Sequence, residues 1–220
     1  MENREISVFG ATGLIGGHIL EILEKDPYYN KINVISRRSL SIESNKVNIH
    51  VIDFSKKKLI SKIIKNSNIV IASIGTTKHK VNGNKDNYRK IDYDILLNIA
   101  KSCKVNNIDN FSFVSSCGAN IESKNFYLNL KAEIENAVLD LDLNSTSIFR
   151  PSLLLGKRKE SRFGENIAQI IMPLISFMMP SIYKPIKAKD VAKAIIQISK
   201  KTISGVKIYH YDEMINSKEI

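Results

Sequence analysis

The chain has 220 residues, of which 43% are hydrophobic and 25% charged, which is enough apolar material for one folded domain with a sizeable core. Its formal net charge is +11, but the lysines are spread along the chain apart from a short run at Lys56–Lys58. A nucleic-acid groove would show more arginine with interleaved aromatic side chains, so we interpret the charge as a solvated basic surface and expect no nucleic-acid partner.

Strand and helix patterns alternate along most of the chain. Strands are predicted at residues 5–9, 32–35, 49–52, 68–72, 111–114, 145–149 and 206–209. Helices are predicted at about 14–24, 57–65, 86–104, 124–139, 165–179 and 188–199. Repeated strand–helix units indicate a parallel sheet with helices on both faces. We therefore predict an α/β fold, a Rossmann-type doubly wound parallel sheet in a single domain over 1–220, with a short C-terminal helical segment at about 151–205 on the substrate side.

The turn between the first predicted strand and helix carries three glycines in the pattern G-x-x-G-x-x-G. Glycine permits a tight turn, lets the backbone approach a phosphate, and lets a helix pack close to a strand. The helix N-terminus then offers free amide donors to an anion. The pattern predicts a pyrophosphate-binding turn and hence a bound nicotinamide dinucleotide. The residues predicted to form this part of the cofactor site are Gly10, Thr12, Gly13, Leu14, Ile15 and Gly16.

The second predicted strand ends at Ser36, and Arg37 and Arg38 follow it. An NAD enzyme usually carries an acidic residue here for the ribose 2′-hydroxyl. Arginine instead forms charge-assisted bidentate contacts with a phosphate. We predict NADP(H) as the cofactor, with NAD(H) the less favoured choice. The alternative interpretation is that the two arginines are only surface charges.

A tyrosine and a lysine four positions apart, Tyr127 and Lys131, lie on one face of a predicted helix. An ammonium group beside a tyrosine stabilises the tyrosinate and suits the hydroxyl for acid–base work. Ser115 and Ser116 close the fifth predicted strand, where side chains face the ligand crevice of a parallel sheet. A serine hydroxyl there can orient a substrate carbonyl. In the alternative interpretation the serines are turn residues and the tyrosine is an aromatic residue at a helix start.

Together, the glycine spacing and the Ser-Tyr-Lys order resemble the short-chain dehydrogenase/reductase superfamily. Residues 149–158 are similar to the R-P-x-x-L-L-G segment of its small atypical members, the Tat-interacting-protein-like and NmrA-like NAD(P)H-binding group. The resemblance implies that Ser116, Tyr127 and Lys131 are the catalytic residues, with Ser115 the fallback for the serine. It also implies that Lys131 contacts the cofactor.

The same resemblance implies further cofactor contacts after the third, fourth and sixth strands. These are Asp53 and Phe54 at the adenine, Ser73 and Gly75 beneath the cofactor, and Pro151. One departure concerns a proton relay that many members complete with an asparagine on the helix after the fourth strand. Asp92 takes that place here, which puts the relay in question.

Two functions fit these features. The first is an NADP(H)-dependent oxidoreductase acting on a small carbonyl or alcohol substrate through the Ser-Tyr-Lys site. The second is a non-catalytic NADP(H)-binding regulatory or assembly protein, since some relatives bind NADPH chiefly as sensors. The retained Ser-Tyr-Lys set favours the enzyme. The resemblance also allows a homodimer, because the family often dimerises.

The apolar stretch from Ile170 to Pro180 suits the wall of a hydrophobic substrate pocket or, equally, core packing; a membrane-surface helix is a third option. Pro173 and Pro180 interrupt the apolar region, which falls short of a membrane span, so we expect no membrane association. Two cysteines predict neither a disulfide framework nor a metal site, and the N-terminus shows no secretory signal pattern. We therefore expect a reducing, cytoplasmic compartment and no bound metal.

Overall fold

A computed structural model describes residues 4–156, 180–201 and 203–217. Seven strands form one sheet: β1 Glu5–Phe9, β2 Lys31–Ser36, β3 Val47–Val51, β4 Ile69–Ala72, β5 Asn110–Val114, β6 Ser145–Phe149 and β9 Gly205–Tyr209. Their order is β3-β2-β1-β4-β5-β6-β9, and every neighbouring pair is parallel. Two short strands, β7 Leu154–Leu155 and β8 Ile186–Lys187, form a separate parallel pair.

The helices of the described residues are α1 Leu14–Lys25, α2 Lys57–Ile64, α3 Lys85–Arg89, α4 Ile95–Val105, α5 Phe126–Leu139, α6 Ala188–Ser199 and α7 Tyr211–Asn216. A π-helical turn, Lys90–Asp94, joins α3 to α4, and a 3-10 turn, Ser181–Tyr183, precedes β8. The predicted helix at 86–104 is therefore real but interrupted by one wider turn. The predicted helix at 165–179 lies outside the described residues.

The sheet is covered on both faces, because successive side chains of a buried strand point to opposite sides. In β1, Val8 packs into the layer that holds α1 and α6, while Phe9 packs into the layer that holds α2, α4 and α5. Both layers are rich in isoleucine, leucine and valine, as expected for strands buried on both faces. The predicted α/β fold of Rossmann type is confirmed.

The strand order reverses at β1, since β2 and β3 lie on one side of it and β4, β5, β6 and β9 on the other. Ligands of open α/β sheets bind outside the carboxyl ends of the strands at such a reversal. The loops that follow β1 and β4 therefore meet at the crevice where the sequence predicted a cofactor. The loops after β5 and β6 come next along the same edge.

Candidate active site

The turn after β1 is packed so closely that two of its glycines admit no side chain. Gly10 has φ +86°, and a Cβ on it would lie 2.6 Å from the carbonyl oxygen of Ser73. A Cβ on Gly16 would lie 2.1 Å from the carbonyl oxygen of Gly10. The turn is closed by the Gly13 amide, which donates to the Gly10 carbonyl at 2.9 Å. The glycines thus bring α1 against the ends of β1 and β4.

Helix α1 begins at Leu14, directly above this turn. Gly13 is its N-cap, and within the described residues no side chain caps it. The first amides of an α-helix have no acceptor inside the helix, and Thr12 and Gly13 in front of them are exposed. An open, uncapped helix N-terminus behind a glycine turn fits a dinucleotide pyrophosphate. Ile15 is buried in the core, so only its backbone remains for such a contact.

The loop after β4 is tied to the end of β1. The Ser73 hydroxyl donates to the Phe9 carbonyl at 3.1 Å, and the Ser73 amide donates to the same carbonyl at 3.0 Å. Gly75 is exposed two residues further on. Ser73 therefore lies against the glycine turn, whereas a Cβ on Gly75 would lie 3.5 Å from the Oδ1 atom of Asp92.

Arg37 and Arg38 are exposed directly after β2. The Ser36 hydroxyl accepts the Arg38 amide at 3.2 Å and orders the turn between them. Among the ion pairs of the described residues, none involves either guanidinium. Two exposed cations after the strand that pairs with β1 suit the anionic end of a cofactor.

Asp53 and Phe54, predicted at the adenine, differ sharply in accessibility. Asp53 is exposed, and its carboxylate accepts the Ser55 amide at 2.9 Å. That backbone hydrogen bond lowers the pKa of Asp53. Phe54 is buried with its ring edge-on to Phe9 at a centroid distance of 5.9 Å. The Phe54 ring therefore belongs to the core.

Tyr127 and Lys131 lie together at the start of α5. The Asn125 side chain caps the helix by accepting the Tyr127 amide at 2.9 Å. The Lys131 ammonium lies 5.8 Å from the centre of the Tyr127 ring. Lys131 is only 3% exposed, whereas Tyr127 is half-buried. The tyrosine is thus partly accessible to solvent, and the lysine is enclosed beside its ring.

Asp92 is the charged partner of Lys131. Its Oδ1 atom lies 2.9 Å from the Lys131 Nζ atom, and its Oδ2 atom accepts the Thr76 amide at 2.7 Å. Burial alone lowers the pKa of Lys131, but the charge of Asp92, aided by Tyr127 and Glu135, outweighs it and leaves that pKa above its ordinary value. The residue that replaces the relay asparagine therefore sits in an ion pair with the lysine.

Ser115 and Ser116 occupy different environments. Ser115 is 4% exposed, and its hydroxyl donates to the carboxylate of Glu135. Ser116 is half-buried and donates to the Cys117 carbonyl at 3.2 Å. The Ser115 hydroxyl is already committed to a carboxylate, and Ser116 is the more exposed of the two serines.

Sequence reasoning missed the ion pair between Glu135 and Arg150. Arg150 follows β6, and its Nε atom donates to a Glu135 carboxylate oxygen at 3.0 Å. Its terminal nitrogen pairs with the other oxygen. Glu135 stands four positions after Lys131, so the pattern Y-x-x-x-K-x-x-x-E was available as a signal for a third residue on that helix face. The next residue, Pro151, is buried and its carbonyl accepts the Cys117 amide at 2.9 Å.

The apolar stretch predicted as a pocket wall, 170–180, lies outside the described residues except for Pro180. Within 4–156, 180–201 and 203–217, we find no helix with both the length and the apolarity that a membrane span requires. In the same residues, His, Cys, Asp and Glu side chains form no group of three arranged for a metal ion.

Several solved structures share the fold. A UDP-N-acetylglucosamine 4-epimerase from Methanobrevibacter ruminantium, in complex with UDP-N-acetylmuramic acid, has a TM-score of 0.72 at 20% identity, covering 98% of this chain and 81% of that one. MoeE5, in complex with UDP-glucose and NAD, has a TM-score of 0.72 at 13% identity, with the same two coverages of 98% and 81%. At these identities the likeness is one of fold.

Sequence relatives are closer. Protein FMP52, mitochondrial, from Candida albicans is 35% identical over 204 residues, which is 90% of this chain and 89% of that protein. Protein HTATIP2 from Rattus norvegicus is 33% identical over 172 residues, which is 77% of this chain and 70% of that protein. The prediction of a cytoplasmic location is wrong, because the FMP52 relatives, including that of Saccharomyces cerevisiae, are named as mitochondrial proteins.

The family resemblance drawn from the motifs is confirmed. A family model described as NAD(P)H-binding matches residues 10–202, which takes in both the glycine turn and α5. HTATIP2 is among the relatives, and the solved neighbours include sugar-nucleotide epimerases of the same fold. The chain therefore belongs to the NAD(P)H-binding family of the atypical short-chain dehydrogenase/reductase group.

Proposed function

We propose that this protein is an NADP(H)-dependent oxidoreductase that acts on a small carbonyl or alcohol substrate. The observation that carries the proposal is the pair of Tyr127 and Lys131, a half-buried phenol with a buried ammonium 5.8 Å from its ring centre. Asp92 joins the pair to Thr76 in the loop after β4, and Ser73 in the same loop packs against the glycine turn. A lysine that only bound the cofactor would need no phenol beside it, whereas a nearby ammonium favours the tyrosinate that acid–base work by a phenol forms.

In this mechanism each residue has a separate task. The glycine turn and the N-terminus of α1 would hold the pyrophosphate, and NADP(H) bound there would supply or accept the hydride. Ser116 donates a hydrogen bond to the substrate oxygen. In the direction of reduction, that oxygen receives the phenolic proton of Tyr127 as the carbon–oxygen double bond becomes a single bond. The Lys131 ammonium stabilises the tyrosinate until it takes a proton from solvent.

Turnover with a panel of aldehydes and ketones, followed by the loss of NADPH absorbance, tests this mechanism. Tyr127→Phe should reduce turnover by at least about 100-fold, the usual contribution of a positioned proton donor, and should leave NADPH binding intact. Tyr28→Phe is the matched control, because Tyr28 lies in the loop between α1 and β2 at the opposite edge of the sheet. Equal turnover in wild type and Tyr127→Phe would exclude the proposed acid–base role.

The choice of NADP(H) within the NAD(P)H-binding family rests on Arg37 and Arg38. Each charge-assisted contact with a 2′-phosphate contributes roughly 1.5–3 kcal/mol, so removing both side chains should weaken NADPH binding at least about 100-fold and leave NADH binding little changed. The control variant carries Lys65→Ala and Lys201→Ala, which remove the same charge from exposed positions at the opposite edge of the sheet. A preference for NADPH that survives in Arg37→Ala/Arg38→Ala would contradict the assignment.

A non-catalytic regulatory role is the second candidate, and the Asp92–Lys131 ion pair favours it. The resemblance expects an asparagine of a proton relay at this position, and the carboxylate found there is paired with the ammonium at 2.9 Å, so the relay is altered. In that case the protein should show no turnover with any carbonyl in the panel. It should instead bind a partner whose affinity differs between NADP⁺ and NADPH, as measured with the purified partner at saturating cofactor.

We also propose a mitochondrial site of action, which the names of the FMP52 relatives support. Fractionation of cells that express the tagged full chain should place it with mitochondrial markers. Recovery with cytosolic markers alone would contradict this part of the proposal.

A further inference from the structure

The Tyr127–Lys131 pair belongs to a closed ring of five residues. Asp92 pairs with Lys131 and accepts the Thr76 amide. The Thr76 carbonyl accepts the Tyr88 hydroxyl at 3.1 Å. The Tyr88 ring lies edge-on to the Tyr127 ring at 6.1 Å, and the ammonium of Lys131 lies beside Tyr127. Asp92 is the residue of this ring that joins the lysine to the loop after β4.

The backbone at Asp92 is unusual. The π-helical turn Lys90–Asp94 widens the helix between α3 and α4, and the Ile95 amide donates to the Lys90 carbonyl five residues earlier. Such turns are uncommon and concentrate at functional sites. Asp92 is 2% exposed, whereas Asp94 on the same turn is exposed. The turn therefore places one of its two carboxylates in the interior beside the crevice.

A carboxylate has a specific effect at this position. Lys131 is buried on α5, and the groups whose charge acts on it are Asp92 from the π turn and Tyr127 and Glu135 from its own helix. Glu135 is already engaged by Ser115 and Arg150. Without Asp92, the ammonium would face the cost of burial with little compensation.

We propose that Asp92 is a positioning residue, which keeps Lys131 charged and in place behind Tyr127 and holds the loop after β4 to the same point through Thr76. The inference rests on the proposed function, since Tyr127 and Lys131 are the acid–base pair that Asp92 would position. An amide at this position can still accept the Thr76 amide but supplies no negative charge. Asp92→Asn therefore removes the charge beside Lys131 and keeps the hydrogen bond to Thr76.

The protonation of Lys131 is the direct measurement. In the full-length protein, lysine side-chain NMR signals are followed against pH, and Lys131→Arg identifies the signal of Lys131. In Asp92→Asn, Lys131 should lose its proton at a clearly lower pH than in wild type, because burial is then opposed by less negative charge. Asp94→Asn, the same change on the exposed part of the turn, should leave the titration unchanged.

Cofactor binding supplies the second measurement. At a pH where Lys131 is neutral in Asp92→Asn and charged in wild type, NADPH should bind the variant about tenfold more weakly, as expected for one lost charge-assisted hydrogen bond. At lower pH the two affinities should converge. Neither measurement requires a substrate. A failure to find turnover would therefore count against the proposed function, whereas the role of Asp92 would still be decided by the Lys131 titration.

An unchanged Lys131 titration in Asp92→Asn would overturn the inference. If Asp92→Asn does not fold, the double variant Asp92→Asn/Lys131→Met decides the question, because it removes both buried charges. Recovery of folding in the double variant supports charge pairing between the two residues. Failure of both variants to the same extent would overturn it.

Discussion

Replacing Gly16 by alanine tests the steric basis of the cofactor turn, and Gly17 provides a matched control at the next position of α1. A Cβ on Gly16 would lie 2.1 Å from the carbonyl oxygen and 2.6 Å from the carbonyl carbon of Gly10. A Cβ on Gly17 would lie 3.7 Å from the Ala11 carbonyl oxygen, an ordinary contact. The two substitutions are chemically identical and differ only in what the new methyl group meets.

The magnitudes follow from two opposing effects. Alanine in place of glycine stabilises a helix by about 1 kcal/mol, and this gain applies to both variants. Overpacking typically costs about 1–3 kcal/mol, and the upper value applies at Gly16 because the obstructing atoms are backbone. We therefore expect Gly17→Ala to be about 1 kcal/mol more stable than wild type and Gly16→Ala about 2 kcal/mol less stable.

Urea unfolding measures the stabilities, and titration followed by nicotinamide fluorescence measures NADPH binding. Relief of the clash must move the Gly10 carbonyl away from the N-terminus of α1, so Gly16→Ala should also bind NADPH at least about tenfold more weakly. Gly17→Ala should bind it as wild type does. Equal stability and equal NADPH affinity in the two variants would refute the steric argument.

Three further predictions concern polar groups that are buried or half-buried. Ser115→Ala removes the hydroxyl that donates to the Glu135 carboxylate and should lower the free energy of unfolding by about 2 kcal/mol in urea titrations. A decrease as small as that caused by replacing an exposed serine would contradict the buried contact. Burial lowers the pKa of His50 below its ordinary value of 6.5. As the pH falls below 6.5, the unfolded chain therefore takes up this proton before the folded protein does, and the free energy of unfolding decreases. His50→Gln should therefore show a weaker loss of stability than wild type between about pH 7 and pH 5, and parallel curves would refute this. Burial, followed by the charges of Tyr28 and Asp26, raises the pKa of Tyr29 above its ordinary value of 10.0, so the unfolded chain loses that proton first and stability falls as the pH rises past that value. Tyr29→Phe should flatten this alkaline loss in thermal unfolding, and an unchanged slope would show that Tyr29 does not cause it.

Helices and strands could be predicted from the sequence where an apolar pattern stops close to a residue, such as proline, that ends regular secondary structure. The strand Ser145–Phe149 and the helix Ala188–Ser199 have the bounds that periodicity predicted, because Pro151 and Pro185 lie close to their ends. The helix α5 begins two residues later than predicted, since the Asn125 side chain caps it there. The pair β7–β8 and the short helix α7 are too brief to show a period, and the sequence pattern missed them.

Some parts of the candidate site could be predicted from the sequence and others could not. The glycine turn is a local motif, so Gly10 and Gly16 could be assigned from their neighbours along the chain. The pairings of Asp92 with Lys131 and of Glu135 with Arg150 join residues of different elements, and only the strand order brings those elements together. The choice between Ser115 and Ser116 was open because it depends on the backbone path after Val114, the last residue of β5.

The alternating charges of Asp92, Lys131, Glu135 and Arg150 have a consequence for how this crevice can change. Removing one member of a buried pair leaves its partner's charge uncompensated, which typically costs about 3–5 kcal/mol, whereas removing both is far less costly. Substitutions here should therefore be tolerated in pairs and rejected singly. Attempts to redesign the pocket for a new substrate should treat each ion pair as one unit of replacement, and libraries that vary these four positions independently should be dominated by unfolded variants.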